Sequence, residues 1–131
     1  MKKQHNFIDL FCGAGGFSLG LKAVGFNCVG AFDNWDPAIK THKKNFKNTK
    51  IYSKSIDDYS NSDIKEIFNN TKVDLIIGGP PCQGFSSIGK KNVNDKRNDL
   101  IFEFGRIVKL IRPSFFIMEN VSGLIHDKNV F

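Results

Sequence analysis

The run Phe7-Ile8-Asp9-Leu10-Phe11 passes without a break into Cys12-Gly13-Ala14-Gly15-Gly16. Next comes Phe17-Ser18-Leu19-Gly20-Leu21-Lys22-Ala23-Val24, whose apolar positions recur at helical spacing. A strand, a glycine turn and a helix in direct succession leave few folds open. This is the opening unit of a doubly wound α/β sheet, in which the helix N-terminus faces a ligand. Gly25 is placed to end the helix. Two variants of the unit are excluded. Ser18 stands where the dinucleotide fingerprint needs its third glycine, and no Gly-Lys-Ser/Thr follows to make a phosphate-binding P-loop. The loop suits an adenosyl ligand that lacks a pyrophosphate.

The alternation continues along the chain. Asn27-Cys28-Val29-Gly30-Ala31-Phe32 reads as a second strand ending in Asp33-Asn34-Trp35-Asp36. An acidic or amide side chain at this distance from the glycine loop is where ribose hydroxyls are held in such folds. Trp35 has two readings, a cover for an adenine ring or a core residue. Asp36 reads as an N-cap with Pro37 at the first helical position, opening a helix over 37–46. Ile51-Tyr52 is a short third strand, followed by a loop over 54–59 and a short helix over 63–68. A fourth strand starts at Val73. A helix over 100–111 carries Ile101, Phe104, Val108 and Ile111 on one stripe, and Arg112-Pro113 stops it. Ser114-Phe115-Phe116-Ile117-Met118 is the fifth strand, ending on Glu119-Asn120-Val121. Strands alternating with helices predict one α/β domain with a mostly parallel sheet.

The fourth strand, Val73-Asp74-Leu75-Ile76-Ile77, delivers Gly78-Gly79-Pro80-Pro81-Cys82-Gln83-Gly84-Phe85-Ser86. The glycines end the strand and admit a close backbone approach, and the prolines stiffen the turn. Cys82 is thereby held at the carboxyl edge of the sheet, where ligands bind. An average cysteine is a buried structural residue, but Pro-Pro before this one and Gln-Gly-x-Ser after it argue for display and for catalysis. Glu119 ends the neighbouring strand at the same edge. Glutamates at strand ends are usually solvated, but one beside an apolar run can be desolvated, which raises its pKa. Between them lies an aperiodic basic segment, residues 86–98, which includes Lys90, Lys91, Lys96 and Arg97. It reads as a lid, a phosphate-contacting arm or a plain surface loop.

The net charge of +6 suits a polyanionic partner and equally a solvated lysine surface. Three cysteines without Cys-x-x-Cys spacing argue against a disulfide framework or a zinc site and for a reducing compartment. No signal peptide or membrane span is apparent, so the expected setting is cytoplasmic.

Together these residues resemble the DNA cytosine-5 methyltransferases, over nearly the whole chain. Asp9-Leu10-Phe11-Cys12-Gly13-Ala14-Gly15-Gly16-Phe17 resembles that family's S-adenosylmethionine loop, and Gly79 to Ser86 its nucleophile motif. Glu119-Asn120-Val121 resembles its base-contacting motif, and Arg97-Asn98-x-Leu100 the motif that opens the helix after its mobile loop. The resemblance implies a Rossmann-like S-adenosylmethionine-dependent catalytic domain acting on double-stranded DNA in a restriction-modification system, without a metal. Cys82, Glu119 and Asn120 would be catalytic. Phe11, Gly13, Gly15, Gly16, Asn34, Trp35, Asp57, Gly79, Pro81 and Leu100 would meet the cofactor. Gln83, Ser86, Lys90, Lys91 and Arg97 would meet the DNA. The family usually has a carboxylate where Asn34 stands and an Asp where Ser55 stands, with Asp57 two residues on.

The resemblance also implies segments that lie outside these residues: an arginine-bearing motif, a target-recognition domain and a returning segment that completes the sheet. The expectation is a fold incomplete at its C-terminal side, with an open edge beside the fifth strand. The chain reads as a fragment or split subunit, with a second chain as possible partner and a cognate endonuclease not in contact. A non-catalytic remnant that only binds cofactor and an RNA cytosine methyltransferase are the rival readings. A nicotinamide-dependent oxidoreductase is disfavoured by Ser18 and by the displayed Cys82.

Overall fold

The computed structural model describes residues 4–81 and 99–122. Five parallel strands lie in the order β3-β2-β1-β4-β5: β1 Asn6–Leu10, β2 Asn27–Phe32, β3 Ile51–Tyr52, β4 Leu75–Gly78 and β5 Phe115–Met118. The connecting helices are α1 Gly16–Ala23, α2 Asp36–Asn45, α3 Asn61–Ile67 and α4 Asp99–Ile111, with a 3₁₀ turn at Ile56–Asp58. The strand order runs outward in both directions from β1 and β4. Their carboxyl ends therefore form the switch point where an open α/β sheet leaves a crevice.

Why β1 and β4 sit in the middle follows from their side chains. Parallel strands covered on both faces need apolar residues at successive positions. Ile8, Leu10 and Ile76 join one core with Phe32, Ile64, Phe68, Phe104 and Ile107. Phe7, Leu75 and Ile77 join the other with Ala31, Cys12 and Cys28. Gly78 pairs with Leu10 across the ladder, and a Cβ at 78 would run into the Leu10 carbonyl oxygen. Only glycine lets these two strand ends lie so close.

Three local expectations are corrected. Trp35, not Asp36, occupies the N-cap position of α2; Asp36 lies in the first turn and pairs with Lys40 at 2.6 Å. The capping role fails because the helix begins one residue earlier than expected and Asp36 already lies inside it; Asp33 Oδ1 takes the N–H of the N-cap residue Trp35 at 2.8 Å. On α4 the buried residues are Phe104 and Ile107, with Val108 and Ile111 packed against the same core, while Ile101 lies beside a surface groove. The stripe is therefore centred on Phe104 and Ile107. Glu119 is exposed, not buried beside an apolar run. Its strand is the last of the described sheet, and Phe115, Phe116 and Ile117 are exposed with it.

Among the described residues, no helix is long and apolar enough to cross a membrane, and no group of His, Cys, Asp and Glu could hold a metal ion.

Candidate active site

A cleft of about 230 Å³ opens at the carboxyl ends of β1, β2 and β4. It is lined by Phe11, Phe32, Asp33, Asn34, Lys54, Ser55, Ile56, Gly79, Pro81 and Leu100. Apolar flat and branched surfaces make one part of the lining, and Asp33, Asn34 and Ser55 supply polar groups to another. Phe11, the first residue after β1, has φ 61°. For a bulky residue this left-handed conformation is an outlier that costs on the order of 1–3 kcal/mol, and such strain clusters at ligand sites.

The glycine turn beyond Phe11 is tied down from β2. Gly13 N–H donates to Asp33 Oδ2 at 2.8 Å, and Cys12 N–H to the Phe32 carbonyl at 2.9 Å. Both oxygens of Asp33 thus accept from backbone amides, one in the glycine turn and one at the start of α2. Asp33 is a clamp between two loops, and Asn34 is the exposed side chain on the cleft wall.

Gly15 closes the turn at φ 99° and serves as N-cap of α1 without a side-chain hydrogen bond. Its missing cap is made good from β1. The Ser18 hydroxyl donates to Asp9 Oδ2 at 2.7 Å, and the Ser18 backbone N–H adds a second hydrogen bond to the same carboxyl. Asp9 is 1% exposed, and burial, opposed by the two Ser18 hydrogen bonds, pushes its pKa up to about 7. Desolvation also raises Cys12, and Cys28 to about 11. Both are buried thiols at neutral pH, the inert form of the side chain.

The fourth and fifth strands meet at the other side of the cleft. Glu119 N–H donates to the Gly78 carbonyl at 3.0 Å, continuing the ladder one step past the strand ends. The Glu119 carboxylate lies against Gly79, where a Cβ would come within 3.1 Å of Oε2. Asn120 Nδ2 donates to the Pro80 carbonyl at 3.2 Å, and its Oδ1 accepts from Val121 N–H at 2.8 Å. The Glu-Asn pair is thus fastened to Gly79-Pro80-Pro81, the turn that leads into Cys82.

Of the expected cofactor residues, Phe11, Asn34, Gly79, Pro81 and Leu100 line the cleft together. Gly13, Gly15 and Gly16 form the turn beside it without lining it. Trp35 is 66% exposed and outside the lining, so it belongs neither to the core nor to the cleft wall described here. Asp57 is also exposed and outside it. Ser55 and Ile56 face the cleft instead, because the 3₁₀ turn beginning at Ile56 carries Asp57 away. Cys82, Gln83, Ser86, Lys90, Lys91 and Arg97 lie outside the described residues. The sequence reading missed Phe32, Lys54 and the clamp made by Asp33. An acid some twenty residues after the glycine turn was a visible signal for the last of these.

The C-5 cytosine-specific DNA methylase family matches residues 5–130. Type II methyltransferase M.HindV of Haemophilus influenzae is 46% identical over 117 residues, covering 89% of this chain and 38% of that protein. Type II methyltransferase M.HgiGI of Herpetosiphon aurantiacus is 44% identical, covering 87% of this chain and 88% of that protein. A prophage-encoded E. coli protein described as a DNA modification methyltransferase superposes with TM-score 0.83 at 40% identity, over 95% of this chain and 34% of that one. Spodoptera frugiperda DNMT2, solved as a triple mutant, superposes with TM-score 0.72 at 29% identity over 96% of this chain and 38% of that one. The chain spans 38% of M.HindV, 29% of M.XorII and 32% of M1.HphI. The fold, the cleft and these matches agree: the chain belongs to the C-5 cytosine-specific DNA methylase family.

Proposed function

We propose that this chain carries the catalytic and cofactor-binding part of a DNA cytosine-5 methyltransferase of a restriction-modification system. The observation that carries the reading is the fastening of Glu119 and Asn120 to the Gly79-Pro80-Pro81 turn, which brings the carboxylate just past β5 to the chain segment that leads into Cys82. The cleft suits an adenosyl group: Phe11, Ile56, Pro81 and Leu100 offer flat or branched surfaces for a base, and Asn34 and Ser55 offer hydrogen bonds at its polar part. Its volume is below the roughly 300–1,000 Å³ of complete small-ligand pockets. The remainder of the ligand would lie outside it, toward the glycine turn. When bound, S-adenosylmethionine would supply an electrophilic methyl group on its sulfonium.

The chain's residues do the rest. Carbon 5 of cytosine is a poor nucleophile until the ring is activated. The Cys82 thiolate adds to carbon 6 of a cytosine flipped from the duplex. Glu119 supplies or shares a proton at ring nitrogen 3 and so offsets the negative charge that develops on addition. Carbon 5, so activated, would take the sulfonium methyl group, with S-adenosylhomocysteine as the leaving group. Loss of the carbon 5 proton to a base, with return of the ring nitrogen 3 proton to Glu119, expels the Cys82 thiolate and restores the aromatic ring. Asn120 holds the Pro80 carbonyl and thereby the turn before the nucleophile. Cys12 and Cys28, as buried thiols, are unsuited to this role.

Gln83, Ser86, Lys90, Lys91 and Arg97 are proposed to meet double-stranded DNA. Asn34 is proposed to meet the ribose, since both oxygens of Asp33 already accept backbone amides. The setting is cytoplasmic, with a cognate endonuclease in the same system. Family segments beyond these residues would come from a longer product or a second chain. The test is transfer of labelled methyl from S-adenosylmethionine to mixed-sequence DNA, followed by hydrolysis to bases. Label in 5-methylcytosine is expected; label on an exocyclic nitrogen overturns the reading.

A further inference from the structure

Arg106 is three-quarters buried on α4 and makes polar contacts to residues 45 to 50 positions earlier in the chain. Its Nε and Nη2 both bond Glu103 Oε2 at 2.7 Å. Its Nη1 donates to Asn61 Oδ1 at 2.7 Å. Its Nη2 also donates to the carbonyls of Ile56 at 3.2 Å and Tyr59 at 3.0 Å. The last three partners bracket the 3₁₀ turn between β3 and α3, and Ile56 and its neighbour Ser55 form one wall of the cleft. Leu100, six residues before Arg106 and about 9 Å away along the same helix, lines the cleft too.

We infer that Arg106 is a positioning residue for the adenosyl cofactor: it fixes the Ser55–Ile56 wall to the helix that carries Leu100. The inference rests on the cofactor reading above and extends it to a residue that does not line the cleft. Among the described residues, the other hydrogen bonds to the turn's carbonyls come from its own amides. Its own amides make only local bonds, Asp58 N–H to Ser55 at 3.1 Å and Tyr59 N–H to Ile56 at 3.3 Å. Tyr59 reaches the cleft floor through its ring, edge-on to Phe32 at 5.5 Å. A rigid guanidinium fork serves these four acceptors at once in fixed directions. A lysine ammonium at the same place keeps the charge and loses the fork.

The experiment compares the full chain with Arg106→Lys and with Ile107→Val, a trimmed core residue next to it that controls for general loss of stability. Equilibrium dialysis with labelled S-adenosylmethionine reads affinity, and amide hydrogen exchange reads the 55–60 segment. Arg106→Lys is expected to weaken binding about tenfold and to speed exchange at Asp58 and Tyr59. Ile107→Val should leave affinity within about twofold, since a conservative trim of the core does not touch the wall. Loss of affinity no greater in Arg106→Lys than in Ile107→Val overturns the positioning role while the cofactor reading stands. If Arg106→Lys does not fold, Asn61→Ala removes one partner of the fork and is held to the same comparison. Absence of binding in the parent chain overturns both.

Discussion

Gly15→Ala is the sharpest perturbation of the glycine turn, and its cost can be built from two parts. Gly15 sits at φ 99°, where an L side chain is strained by roughly 1–2 kcal/mol. A Cβ there would also overlap Phe46 Cε2 and lie 2.9 Å from His42 Cδ2 and 3.0 Å from Phe46 Cζ. Neither ring can retreat cheaply. His42 is fully buried, Phe46 is 6% exposed, and their centroids are 4.5 Å apart. Overpacking of this kind costs roughly 1–3 kcal/mol. The sum is about 3 kcal/mol, a large share of the roughly 5–15 kcal/mol that holds a domain together. Urea unfolding followed by circular dichroism reads the difference. Gly16→Ala is the internal control: a Cβ there meets nothing within 4 Å, and its φ is ordinary. Alanine in the first turn of α1 should be neutral or stabilising by up to about 1 kcal/mol. Phe46→Leu should then recover part of the Gly15→Ala loss in the double variant, giving a coupling well away from zero. A Gly15→Ala chain within 1 kcal/mol of the parent, or no different from Gly16→Ala, would refute the packing argument.

The buried carboxyl of Asp9 makes stability depend on pH in a particular direction. Its folded pKa of about 7 lies above the 3.8 of an ordinary Asp, so between these values the folded chain keeps a proton that the unfolded chain releases. The contribution of Asp9 to stability therefore falls as pH rises through this window, by about 3 kcal/mol between pH 5 and 8. Asp9→Asn removes that slope, so the difference between its urea midpoint and the parent's should grow from pH 5 to 8; a constant difference would contradict the assignment. Asn120→Ala deletes the bonds to Pro80 and Val121, at about 1 kcal/mol of stability. It is expected to slow methyl transfer by on the order of tenfold or more with cofactor affinity nearly unchanged, as single-turnover kinetics and dialysis would show. A fall in affinity as large as the fall in rate would place Asn120 in the cofactor site instead.

Much of this architecture is legible because it is encoded locally. The apolar runs of β1 and β4 announce central strands, the glycine turn announces α1, and the strand-to-helix alternation announces a parallel sheet. What escaped the sequence is non-local. Asp36 beside Pro37 gives a local cap signal, whereas only the fold shows that Asp33 has amides on both sides, one of them 20 residues away. The periodicity of α4 fits two neighbouring stripes, and the sheet and α3 select the one centred on Phe104 and Ile107. Arg106 carries no local signal in sequence because three of its acceptors lie 45 to 50 residues earlier. Ser55 takes the place expected of Asp57 because the 3₁₀ turn reverses the chain between them and the body of α3. The Glu-Asn motif was legible as a motif, but its grip on the Pro-Pro turn required the pairing of β4 with β5.

On the proposed function, Cys82, which follows the Gly79-Pro80-Pro81 turn in the chain, is the nucleophile for methylation of cytosine. The most direct measurement runs the labelled-methyl assay on the parent chain and on Cys82→Ala, with S-adenosylmethionine binding measured on both. The account predicts 5-methylcytosine from the parent, none from Cys82→Ala, and equal cofactor binding by the two. Transfer that persists without the Cys82 thiol would contradict it.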